Sequence, residues 1–294
     1  AGTNVQPGVK PEKNEILYRT AIVGDGAGST ILRYVGSGTA LHINTGLGKA
    51  HHRGFSLVQD DNENRNGVGL KVDWSAALKF SDMEIKGFEY GLHNLDSFST
   101  LYEAIDFEDN RVGFIGGYEQ GSHPNAINFI SCRWMNNKNS GVTLINPTTC
   151  NFIGGSFEGN GTGDNQTGAI SINGASSEGA FGCNITGVYF ENNFCLADIV
   201  INNAGSGSRV GMHRIKGCTF NRISNTRFTD HNIYVGRNSP GFLRVVASEN
   251  SFQGFNTYVP SAARKYIVAV DAGGGVPSIV ANDNLYGNAS ETPA

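Results

Sequence analysis

The sequence predicts an all-β chain wound into a right-handed single-stranded parallel β-helix, a solenoid of about nine to ten turns. Three observations predict it. Nine short stretches, centred on Leu57, Ile85, Phe107, Trp134, Phe157, Phe190, Phe220, Phe252 and Leu285, repeat one pattern: an apolar or aromatic residue between polar or small ones, usually followed by Asn, Asp or Gly. These anchors recur every 22 to 33 residues, the period of stacked repeats; a β-sandwich does not keep one pattern so many times. Gly is abundant (40 residues) and Pro scarce (8), which suits many tight bends between short strands. Long, irregular turns exclude the shorter uniform coils of left-handed hexapeptide helices, and the fixed leucine offsets of leucine-rich repeats are missing.

The elements follow in order. Residues 1–20, polar and carrying Pro7 and Pro11, read as a lead-in or end cap. Residues 22–32 read as the first turn, with Gly24, Gly26 and Gly28 making the bend and Ile31-Leu32 entering the core. Each later repeat opens with a strand ahead of the anchor: Leu78-Lys79-Phe80, Ile127-Asn128-Phe129, Cys150-Asn151-Phe152, Cys183-Asn184-Ile185, His213-Arg214-Ile215 and Leu243-Arg244-Val245. The anchor forms a short strand of its own. After a bend comes a second alternating run, as in Leu41-His42-Ile43, Leu70-Lys71-Val72, Val142-Thr143-Leu144, Ile170-Ser171-Ile172, Ile199-Val200-Ile201, Ile233-Tyr234-Val235 and Ile267-Val268-Ala269. Period-two alternation means strands with one buried face. Residues 21–288 form one β-helix domain in this reading, and 289–294 a tail.

A net charge of −4 and a pI near 6 argue against nucleic acid as a partner, because phosphate binding relies on clustered Lys and Arg. The five cysteines are odd in number and lack CxxC or zinc-type spacing. Cys150 and Cys183 each precede an anchor by seven residues, so they stack as buried free thiols, and folding in a reducing compartment is favoured. The first twenty residues lack the apolar run of a secretory leader, and no stretch approaches a membrane span, so no membrane partner is expected. His51-His52 has no partner at metal-ligand spacing. No cofactor and no catalytic metal are expected.

Residues flanking an inward anchor point outward. The column before the anchors reads Ser56, Glu84, Asp106, Arg133, Ser156, Tyr189, Thr219, Ser251, Asn284; the column after reads Val58, Lys86, Glu108, Met135, Glu158, Glu191, Asn221, Gln253, Tyr286. Carboxylates collect in the middle turns of a chain that is only 16% charged. With turns roughly 4.8 Å apart, Glu158 and Glu191 stand about 5 Å apart, Asp106 and Glu108 about 7 Å, and Glu108 and Glu158 about 10 Å. Glycosidases use two carboxyl groups about 5 to 5.5 Å apart for retention, or about 6.5 to 9.5 Å for inversion, so both outcomes stay open. Two stacked glutamates also repel, and a retained proton on one relieves this, as a general acid requires.

The candidate catalytic residues are therefore Glu158 and Glu191, with Asp106 and Glu108. Arg133 is a candidate for a sugar carboxylate or simply neutralises Asp106; Tyr189 is a stacking surface or a lyase base; Glu84 lies on the same strip. Long bends at 116–124, 159–166 and 174–180 make walls beside the sheet and add Tyr118 as a binding candidate. Trp134, as an anchor, belongs in the core. His42, Lys71 and His93 occupy successive turns of the second strand and form a basic patch. Asn128, Asn151 and Asn184, each six residues before an anchor, form a structural amide ladder.

With the residues 22–32 as first turn, the anchors after it and the irregular turn lengths, the chain resembles the pectate-lyase-like right-handed β-helix superfamily, and within it the phage tailspike depolymerases. The resemblance covers residues 21–288. It implies a homotrimer on the virion, made in the host cytoplasm, that binds and cuts bacterial surface polysaccharide; a secreted protein is the alternative. Arg214-Ile215-Lys216 matches a short element of polygalacturonase-type glycosidases, but the accompanying paired aspartates and Gly-His-Gly do not occur, nor does the aspartate set with which pectate lyases bind calcium. Three activities follow from the residues: hydrolysis by paired carboxylates, elimination with Tyr189 as base and Arg133 neutralising a uronate, or glycan binding without cleavage.

Overall fold

Short strands with one apolar face need a partner sheet, and stacking turn on turn gives every strand two neighbours and every apolar face a common interior. The computed structural model describes residues 20–46, 48–60, 66–117, 123–163, 167–174, 180–203, 211–222, 229–237, 243–253, 266–271 and 277–286, and shows a right-handed parallel β-helix. In the first sheet, strands Ile31–Tyr34, His51–Gln59, Lys79–Lys86 and Leu101–Glu108 stack in parallel. From there each turn supplies two short strands, beginning with Asn128–Ile130 and Arg133–Met135 and ending with Ser278–Asn282 and Leu285–Tyr286. Nine parallel strands, from Thr39–Ile43 to Ile267–Asp271, make the second sheet. A narrow third side consists of Ser75–Ala76 paired with Ser97–Phe98 and single bridges at Asn125, Thr148 and Phe181.

The bend that divides the first sheet falls on a left-handed backbone position in turn after turn: Asp82, Ala104, Ser131, Gly154, Gly187, Gly217, Glu249 and Asp283 all have φ between 48° and 64°. Glycine takes this conformation without steric cost and Asp tolerates it, so the bend column is rich in both.

Register pairing places Leu32, Leu57, Ile85, Phe107, Trp134, Phe157, Phe190, Phe220, Phe252 and Tyr286 on successive rungs. From Phe107 to Tyr286 the rings form one continuous stack, with centroids 4.3 to 5.4 Å apart. The last rung corrects the sequence reading. Leu285 pairs with Ser251 and is 72% exposed, whereas Tyr286 continues the stack on Phe252. Leu285 therefore takes the outward place expected for Asn284, whose side chain instead accepts from the backbone N–H and amide of Asn250. The strand Arg244–Ser248 is also shifted: Val246, not Arg244, pairs with Arg214, and Arg244 sits beside Met212. A shift of two residues keeps the same side chains outward.

Asn128, Asn151 and Asn184 form the expected ladder, with Nδ2 of Asn151 and of Asn184 each donating to Oδ1 of the turn before at 2.8 Å. A second ladder lies inside. Asn110, Asn137, Asn160 and Asn193 are buried three residues after their anchors. Each Nδ2 donates to the backbone carbonyl of an anchor one turn earlier (Ile85, Phe107, Trp134, Phe157) at 2.9 to 3.0 Å. Along the row each Nδ2 of the first three also reaches Oδ1 of the next asparagine at 2.9 to 3.2 Å. The row ends at Asp198, whose Oδ1 accepts from Asn193 at 3.0 Å and Oδ2 from Asn232 at 2.9 Å. Burial pushes the Asp198 carboxyl up to about 6 despite these donors. Cys150 and Cys183 do stack as neighbours, and all five cysteines are buried free thiols.

Candidate active site

The anchor strands of the middle turns are three residues long, so each presents two outward side chains around one buried ring. Left-handed residues at the second position past the anchor (Gly87, Asp109, Asn136, Gly159, Asn192) end these strands and set the second outward side chain at the edge of the face. Pairing aligns Glu84, Asp106, Arg133, Ser156 and Tyr189 in one column, and Lys86, Glu108, Met135, Glu158, Glu191 and Asn221 in the other.

The strip separates into two parts. In the earlier turns the carboxylates are matched by cations: Arg133 Nε donates to Asp106 Oδ1 at 2.7 Å while its Nη2 bonds Oδ2, and Lys86 Nζ lies 3.0 Å from Glu108 and 3.2 Å from Asp109. Arg133 thus takes the neutralising role, and Asp106 and Glu108 are held away from the later pair, with Met135 standing between Glu108 and Glu158. The Glu84 side chain makes no hydrogen bond or ion pair among the described residues.

In the later turns no cation is ion-paired with a carboxylate among the described residues, although Arg133, bound to Asp106, is near enough to feel the Glu158 charge. Glu158 and Glu191 are direct register neighbours. Tyr189 donates its phenol hydroxyl to Glu191 Oε2 along the same strand, Asn192 Nδ2 donates to Glu191 Oε1 at 3.1 Å, and Asn221 Nδ2 donates to the Tyr189 hydroxyl at 3.0 Å. Burial raises the Tyr189 phenol above its ordinary value, and the bond to Glu191 adds to it. The Glu158 carboxylate, half-buried, has no hydrogen-bond partner among the described residues, while its backbone carbonyl accepts from Asn136 N–H at 3.0 Å. One carboxylate is therefore fixed by two donors and its neighbour is left free, which is a division of labour that acid–base chemistry can use.

Asn192 and Asn221 were not singled out from the sequence. Their signal was positional, since Asn221 continues the Glu158–Glu191 column and Asn192 occupies the bend position next to Glu191. Tyr118 lies outside the described residues, as do most of the proposed wall loops (118–122, 164–166, 175–179). Trp134 is fully in the core. His42, Lys71 and His93 do align on the second sheet. Burial, then the Lys71 charge, lowers both histidines, His93 to about 4, so near neutral pH the patch carries a single charge. Among the described residues no group of three or more His, Cys, Asp or Glu is placed to hold a metal ion.

No family model and no curated protein matches the sequence. Solved structures do match. ORF18 of Geobacillus virus E2 superposes with a TM-score of 0.56 at 15% identity, over 90% of this chain and 48% of that one. The enzymatically active domain of tailspike protein 2 from bacteriophage CBA120 gives 0.56 at 17% identity, over 87% and 39%. What these chains share is the β-helix fold. An alginate lyase from Paenibacillus sp. str. FPU-7 gives 0.55 at 15% identity, over 92% and 83%. The chain thus spans less than half the length of the two phage structures and most of the length of the lyase.

Proposed function

We propose that this β-helix is a tailspike-like, endo-acting depolymerase that hydrolyses bacterial surface polysaccharide, capsule or O-antigen, with Glu158 and Glu191. The observation that carries the reading is the adjacent carboxylate pair with no ion-paired cation among the described residues, one member of which is oriented by Tyr189 and Asn192. Glu191, held by two donors, suits the nucleophile or base; Glu158, whose carboxylate has no hydrogen-bond partner among the described residues, suits the acid that protonates the leaving oxygen. The outer face of stacked turns runs along the axis as a linear polymer does, and two of the matching folds belong to phage proteins, one of them described as an enzymatically active tailspike domain. The active unit in this proposal is a homotrimer on the virion.

Elimination is the second reading, favoured by the match to an alginate lyase. It needs a cation for the uronate and an ionisable base. Arg133 is engaged by Asp106, and the Tyr189 phenol is raised, so both requirements are poorly met. The test is incubation with a panel of purified capsular and O-antigen polysaccharides, following reducing ends and ultraviolet absorbance together. New reducing ends without absorbance support hydrolysis. Absorbance of unsaturated uronates overturns it in favour of a lyase, and binding without cleavage leaves an adhesin.

A further inference from the structure

At the N-terminal end of the coil, beside the strands Ile31–Tyr34 and His51–Gln59, lies a cleft of about 520 Å³. Gln59, in its floor, is 3% exposed; its Nε2 donates to the Gly36 carbonyl at 2.8 Å, while its Oε1 is buried with no hydrogen-bond partner. A buried amide oxygen without a donor is destabilising, and a ligand hydroxyl entering the cleft would satisfy it. Val35, 88% exposed, makes an apolar wall beside it. The Tyr34 ring packs on the core and its hydroxyl accepts from Gly38 N–H at 2.9 Å, so this wall is rigid. Asp60, held by Arg33, adds carboxylate oxygens, and Ser37 and Asn66 complete the rim.

An apolar wall facing a set of hydrogen-bond acceptors is the complement of a pyranose, which offers C–H groups on its faces and hydroxyl donors around its edge. With no cation in its lining and the Asp60 carboxylate present, though paired with Arg33, the cleft offers nothing to hold a uronate, sulfate or phosphate group. Position supports the same ligand. Tyr34 pairs with Gln59, two residues past the anchor Leu57, and Glu158 follows the anchor Phe157 four rungs later on the same edge. At roughly 4.8 Å per rung that is about 19 Å along the axis, a distance a short stretch of polysaccharide covers.

We propose that this cleft is a distal subsite for one neutral pyranose residue of the polymer. The polymer itself rests on the cleavage reading above; the sugar specificity of the cleft does not. The test is a titration of the whole chain with methyl glycosides of glucose, galactose, mannose and N-acetylglucosamine, and with glucuronate, read by saturation-transfer NMR. At least one neutral glycoside is expected to bind. Its affinity should fall tenfold or more in Val35→Arg, a change at an exposed position whose effect on folding is checked by thermal unfolding. In the Glu158→Gln, Glu191→Gln double variant the same titration is retained. Absence of any neutral ligand, glucuronate binding as tightly, or binding that survives Val35→Arg overturns the proposal. If no polysaccharide is cleaved but Val35→Arg still removes sugar binding, the subsite stands and the cleavage reading falls.

Discussion

Tyr189 and Glu191 lie two residues apart on one strand, and the phenol hydroxyl of the first donates to the carboxylate of the second while accepting from Asn221 of the next turn. If Glu191 is the base or nucleophile, Glu191→Gln lowers kcat by about 100-fold or more. Tyr189→Phe keeps the ring and removes one donor, for an expected loss of about tenfold, or about 1.4 kcal/mol in the barrier. Initial rates of reducing-end release check both, and an unchanged Tyr189→Phe rate would take the tyrosine out of the site.

The two halves of the acidic strip should respond differently. Glu158→Gln is expected to abolish most turnover, whereas Asp106→Asn and Glu108→Gln, each losing a partly exposed ion pair, cost about 1 kcal/mol of stability or less and leave the rate within about threefold. A rate collapse in Asp106→Asn would place the catalytic carboxylates further toward the N-terminus.

The interior asparagine ladder predicts a large penalty for an isosteric change. Asn137 accepts from the Asn110 backbone and side chain and donates to Phe107 O and Asn160. Asn137→Leu strands several buried polar groups and should cost about 2–4 kcal/mol. Asn128→Leu, on the outer ladder where water replaces lost partners, should cost well under half as much. Urea unfolding of the two variants makes the comparison.

His52 is buried against Phe80, accepts from Ile22 N–H, and is pushed down to about 4 by burial and then by His51. Its folded value lies below the unfolded one, so its contribution is complete above about pH 6.5 and is lost as pH falls toward 4, on the order of 3 kcal/mol. Asp198 acts oppositely: raised from 3.8 to about 6, it makes the fold less stable as pH rises across that window. His52→Phe should therefore flatten the loss of stability on acidification and Asp198→Asn should steepen it, as read from unfolding midpoints between pH 4 and 7.

The coil was legible in the sequence because one inward ring per turn with outward neighbours repeats at every anchor from Leu57 to Phe252. The last rung misled because Leu285 and Tyr286 are both apolar and the strand is only two residues long, too short for alternation to choose between them. Glu158 and Glu191 were found by reading across turns. The Tyr189–Glu191 bond was not, since it runs along the strand, and Asn110, Asn137, Asn160 and Asn193 passed as ordinary bend residues although they recur at a constant offset. The partition of Asp106 and Glu108 from the later pair depends on where Arg133 and Lys86 reach, which column order alone leaves open.

The interior row of asparagines has a direction. From Asn110 to Asn193 every side-chain amide points its N–H end the same way, so their dipoles add along the axis like those of a helix backbone, with the positive pole meeting the Asp198 carboxylate. The interior row is therefore electrically polar as well as mechanically repetitive. Inserting or deleting one whole asparagine turn would preserve that alignment, whereas reversing a single amide would set donor against donor with its neighbour. Such a row can grow by whole turns, but it tolerates no change of sense within it.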